Sequence, residues 1–211
     1  MLEFIIILLV IAVVVWVRYN VSTKGKAELK NIETCIIQIE KNPSFPEIYD
    51  KFIETWRSST WIPHEDIFNS GYYDRILKIC EQNSSNVKAW QLLEQVLQRL
   101  NMSFGINIAG KRNRANTFRL LADNLMKEFQ NQAIKERILS LIHLSIGITH
   151  AETQELYNTS LKILEANPNS QEAKVLVLDL GRLHYSILRP NKKPTIYDEQ
   201  AIQNDILVRS K

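Results

Sequence analysis

The residues closest to a catalytic motif are GINIAGKR, Gly105 to Arg112. Gly105, Gly110 and Lys111 stand at the spacing of a phosphate-binding loop, G-x-x-x-x-G-K. That chemistry needs backbone N–H groups around phosphate oxygens, a lysine reaching the outer phosphates, and a Ser or Thr hydroxyl on Mg²⁺. Arg112 stands where the hydroxyl is needed, and a guanidinium cannot ligate a cation. Such a loop must also leave a buried strand. Here Ala89, Leu92, Leu93, Val96, Leu97 and Leu100 precede it at helical spacing. No Val/Ile-rich strand ending in Asp follows to supply a second metal ligand. The stretch therefore reads first as a loop between helices that turns at its glycines. A nucleotide-binding enzyme using this loop ranks last among the functional readings.

Three other clusters carry groups capable of chemistry. His143 and His150 lie near Glu152 and Glu155. A metal site needs ligands converging on one point. His143 falls inside an apolar stripe and His150 opens a new helix, so packed or capping histidines are expected instead. His64, Glu65 and Asp66 follow Pro63, and an acid-rich first helical turn accounts for them. The third cluster is basic: Lys111, Arg112, Arg114 and Arg119. Cations at a helix start gain nothing from the helix dipole. They read either as a solvated loop and helix start or as a contact for an anionic surface, whether lipid headgroups or an acidic partner. Nucleic acid is disfavoured, because no aromatic residues interleave with the charges. No Ser/His/Asp or Cys/His set stands out. The expectation is a protein without catalytic residues, cofactor or metal ligands.

Composition bounds the scaffold that must position these groups. The chain has 211 residues, 45% of them hydrophobic, which is enough for a sizeable core. A net charge of +3 does not by itself imply a nucleic-acid binder. Gly and Pro number only 6 each, which favours long helices over turn-rich β structure. Cys35 and Cys80 both fall in helical patterns and read as small apolar core residues.

Phe4 to Val17 contains no polar residue. At roughly 14 residues it is short for a membrane span, and Met1, Leu2 and Tyr19 extend it to about 17–19. Trp16 and Tyr19 fall where an interfacial aromatic belt would lie. A signal peptide would want cations before the apolar core, where this chain has Glu3. The expectation is an uncleaved anchor over 1–19, with Phe4, Ile5, Leu8, Leu9, Val13, Trp16 and Val17 facing lipid. Arg18, Lys24, Lys26 and Lys30 follow it, so the positive-inside rule puts the N-terminus outside and the C-terminal bulk in the cytoplasm.

The remainder carries a repeat. LKICEQNSSNVKAW (Leu77 to Trp90) and LKILEANPNSQEAK (Leu161 to Lys174) share Leu, Lys, Ile, Glu, Asn and Ala in register. IIQIEKNPSFPEIY (Ile36 to Tyr49) shares the apolar positions and the Asn-Pro turn, and a fainter copy starts near Leu125. The period is roughly 40 residues, as in helical-repeat arrays. In each copy an amphipathic helix ends in Asn, Pro or Ser, and these cap the helix that returns. Helical hairpins are expected at 27–41 with 46–58, 71–82 with 86–101, 113–129 with 131–147, and 150–166 with 169–187. One hairpin cannot cover its own apolar faces, so neighbours must stack.

The Leu-x-x-Ile/Leu-Glu-x-Asn-Pro-x-Ser runs, strongest at Leu161 to Ser170, resemble the junctions of the tetratricopeptide and HEAT helical-repeat superfamily. The Trp-Leu-Gly-Tyr pattern of the tetratricopeptide first helix is missing. The resemblance implies a protein-binding scaffold and names no partner.

The expected fold is all-α, an N-terminal transmembrane helix followed by a right-handed α-solenoid of about four antiparallel hairpins. Its parts would be the anchor at 1–19, a basic linker at 20–26, the repeat domain at 27–188, and a basic linker with a C-terminal capping helix at 189–211. The expected role is a membrane-anchored adaptor or assembly factor that binds proteins. An accessory subunit built into a larger membrane complex is the alternative.

Overall fold

A computed structural model describes residues 2–60, 62, 66, 70–104, 114–145 and 148–210, with the backbone alone at 2–10, 17–18, 21, 100–104 and 114–117. Among the described residues every regular element is a helix. The chain divides into two compact units, Met1–Phe104 and Gly105–Lys211.

The first unit holds α1 (Leu2–Lys41), α2 (Pro46–Ser58), α3 (Tyr72–Gln82) and α4 (Val87–Phe104). Helix α1 runs unbroken through residues 20–26, where a linker is expected, and Gly25 is buried inside it. It ends at Asn42-Pro43, whose ring cannot donate the next helical bond. Ile32, Cys35, Ile36 and Ile39 form its buried stripe, at helical spacing. Pro46 opens α2, where a missing N–H costs nothing. Tyr49, Phe52, Ile53 and Trp56 face inward from α2. The Pro43 carbonyl accepts from Tyr49 Oη at 2.9 Å and from Asn86 Nδ2 at 3.0 Å, so one oxygen ties the two hairpin turns together. Gly71 precedes α3 at φ 69°, a left-handed conformation that favours glycine. Cys35 and Cys80 are buried free thiols, and burial pushes the Cys80 thiol well above its ordinary range.

The second unit holds α5 (Arg114–Lys127), α6 (Gln132–Leu144), α7 (His150–Ala166), α8 (Gln171–Ile187) and α9 (Ile196–Arg209). Four of these starts are capped by side chains: Asn131, Thr149, Ser170 and Thr195 each accept a bond from the backbone N–H three residues further on. At Thr149 and Thr195 the bond is reciprocated by Glu152 and Asp198, completing capping boxes. Leu161, Leu164, Leu176 and Leu180 are all buried between α7 and neighbouring helices, in the phase the repeat predicts. Gly181 lets α8 approach closely: a Cβ there would stand 2.9 Å from Tyr157 and 3.0 Å from Ile202.

The membrane placement is overturned. Among the described residues no helix is long and apolar enough to cross a membrane. The uninterrupted apolar run of α1, roughly 14 residues, makes about 21 Å of helix, against a hydrocarbon core of about 30 Å. Polar and charged residues follow from Arg18 within the same helix. A single-pass anchor with its N-terminus outside and a cytoplasmic C-terminal domain is therefore withdrawn. Val13 and Trp16 are exposed on α1. Phe4, Ile5, Leu8, Leu9 and Val17 also lie on α1, with side chains outside the described set.

Candidate functional site

In the second unit the first helices of successive hairpins, α5 and α7, pack directly, and α9 continues the row against α7. The second helices, α6 and α8, flank a cleft of about 490 Å³. Its apolar floor comes from Leu139 of α6 and from Val175 and Leu178 of α8, and Val175 is 53% exposed.

An ion pair and a histidine–carboxylate hydrogen bond cross this cleft. Lys135 Nζ meets Glu172 Oε2 at 2.7 Å, and His143 Nε2 meets Asp179 Oδ2 at 2.9 Å. The two helices thus run parallel, with contacts about two turns apart on each. The Lys135 side chain is buried, and its Nζ also sits 4.9 Å from the centre of the Phe129 ring. The Asp179 carboxylate holds the His143 imidazole above its ordinary pKa, chiefly through their hydrogen bond, against opposition from burial and with its charge adding least. At the rim, Arg182 is taken by Glu199 of α9, at 2.8 and 3.0 Å. Glu136 accepts from the neutral Gln132 amide at 2.6 Å, which leaves its negative charge uncompensated by that contact.

A second hollow of about 430 Å³ lies over α5 and α7, lined by polar groups such as Asp123, Gln154, Asn158 and Lys162. Gln154 and Asn158 satisfy each other at 3.1 Å.

The sequence-derived sites fare differently. Gly105, Gly110, Lys111 and Arg112 lie outside the described residues, as do His64 and Glu65; Asp66 is exposed. Arg114 begins α5, its side chain outside the described set. Arg119 is exposed and lies 4.0 Å from Asp123, one turn along its own helix. His143 and His150 do not converge. His143 faces Asp179, whereas His150 faces His184, ring centres 4.8 Å apart. Glu152 is occupied in the capping box. Among the described residues no group of three or more His, Cys, Asp or Glu could hold a metal ion.

Sequence reasoning missed His184. It is buried, stacked on Tyr157 at 5.7 Å, with Nδ1 3.2 Å from Thr153 Oγ1. Burial, then the neighbouring His150, pushes its pKa below the ordinary value. The signal was present in its spacing, because His184 extends the apolar stripe Leu176, Val177, Leu180 and Gly181 by one turn.

No protein-family model, no curated protein and no solved structure matches this chain.

Proposed function

We propose that this chain is a non-catalytic, protein-binding scaffold of the tetratricopeptide or HEAT kind, whose hairpins stack as a right-handed array and whose α6/α8 cleft receives a partner segment. The observation that carries this reading is the cleft itself: an apolar floor between an ion pair and a histidine–carboxylate hydrogen bond, with the carboxylate of Glu136 at its rim. Its partner is a short amphipathic helix that sets an aliphatic side chain on Leu139, Val175 and Leu178 and a Lys or Arg beside Glu136.

Synthetic amphipathic peptides with leucine anchors and either lysine or glutamate flanks test it by fluorescence anisotropy on the full chain. The lysine-flanked set should bind about tenfold tighter or better, and Glu136→Gln should abolish that difference without moving the melting temperature. Equal binding of both sets, unchanged in Glu136→Gln, refutes the cleft as the site.

A second reading is favoured by α1. Ile11, Val13, Val14, Val15 and Trp16 are all more than half exposed. Apolar surface of that extent on one helix suits a subunit built permanently into a larger protein assembly. Native mass spectrometry separates the two: a chain found only in a fixed-stoichiometry complex supports the subunit, and a monomer that binds peptide supports the scaffold.

A further inference from the structure

Helix α8 is held from two sides by histidine contacts of opposite sign. Asp179 and His184 are five residues apart, which places them about 140° apart around the helix. Asp179 reaches toward α6 and meets His143. His184 reaches toward α7, where it packs among His150, Thr153 and Tyr157. We propose that acidification transfers the anchoring of α8 from α7 to α6.

The surroundings of His184 are hostile to a proton. The side chain is 4% exposed. From α7 it meets the imidazole of His150, the ring of Tyr157 and the hydroxyl of Thr153; from its own helix it meets the edge of Tyr185. The acids of α9 are already engaged. Asp205 accepts from Tyr157 Oη at 2.8 Å and pairs with Arg209, and Asp198 pairs with Arg189. The contact with His150 brings the ring beside the first turn of α7, where the positive end of the helix dipole disfavours a charge on His184. A proton on His184 would place a cation in a buried seat, ring to ring with His150.

His143 is placed for the opposite response. Its ring nitrogen already meets a carboxylate, and protonation converts that contact into a charge-assisted bond. On α8 the nearby cation, Arg182, is paired with Glu199. On α5, Arg119 and Asp123 face each other.

The signs follow from linkage. The folded-state pKa of His184 lies below the ordinary 6.5, so its contribution is complete above that value and is lost as pH falls through the lowered one. The folded-state pKa of His143 lies above 6.5, so its contribution is complete below 6.5 and is lost as pH rises through the raised one. Global melting sums these opposed terms, so the test must be local.

Hydrogen exchange of the full chain, compared at about pH 7.5 and about pH 5.5 and corrected for intrinsic rates, supplies it. The first turn of α7 and the last turn of α8 should lose protection by about threefold or more at the lower pH, while the end of α6 gains. His150→Asn should shrink the loss on α7 and α8. Asp179→Asn should abolish the gain on α6 and leave the loss in place. Unchanged protection of α7 and α8 between the two conditions overturns the proposal, and so does a gain on α6 that survives Asp179→Asn. No partner enters this readout, so it stands or falls separately from the binding role of the cleft.

Discussion

The two units join their hairpins on opposite sides. In Met1–Phe104 the closer contact is between second helices, α2 against α4; in Gly105–Lys211 it is between first helices, α5 against α7. The α2–α4 contact is made by Trp56, stacked on Phe52 at 5.8 Å, with the Arg99 guanidinium 4.8 Å from its ring centre. Arg99 also donates to the Trp56 carbonyl at 2.9 Å. In the second unit small residues are buried on three helices, Ala122 on α5, Thr153 and Ser160 on α7, and Ala173 and Gly181 on α8.

The wider side of each unit is bridged by charge. In the first, Arg75 of α3 donates to both Glu33 and Glu40 of α1 at 2.7–2.9 Å, and Tyr72 Oη reaches the Leu29 carbonyl at 3.2 Å. In the second, Lys135 and His143 span the gap singly and leave the cleft between them. A forked guanidinium closes its side, whereas two single contacts hold theirs open.

Three tests probe this contrast, beginning with the largest effect. Leu164 is fully buried, so Leu164→Ala should cost about 2–5 kcal/mol in urea unfolding. Lys162→Ala, on the polar α5/α7 hollow, should change stability by about 0.5 kcal/mol or less. Equal, small effects at both positions would show that the close side of the second unit is not its core. Gly181→Val comes next, at about 1–3 kcal/mol, because its branches must displace Tyr157 or Ile202. If it is neutral, close approach is not what sets the second unit's geometry. Arg75→Lys is the mildest, at about 0.5–1 kcal/mol and sensitive to salt, since all three partners are partly exposed. A double-mutant cycle with Glu40→Gln reads the coupling, and zero coupling would mean that the fork adds nothing.

Much of this architecture is legible in the chain. The Asn-Pro junctions after Ile39 and Leu164 stop helices where the backbone needs a cap, and the hairpin spans follow within a few residues. The register of Leu77 with Leu161 likewise follows from helical phase. Continuation of α1 past Arg18 was not legible, because Gly25 reads as a breaker until packing around it is known. The partners of the histidines were also hidden. His143 meets Asp179 and His150 meets His184 across more than 30 positions of chain, and only tertiary packing decides such pairs.

The placement of the thiols has a practical consequence. Both cysteines lie in the first unit, and none lies in the second. Cys80 is wholly enclosed and held as the protonated, unreactive form. A maleimide reagent therefore labels the native chain slowly and accelerates only as the first unit opens. The rate of mass increase becomes a stopwatch for that half alone, readable while the other half remains silent.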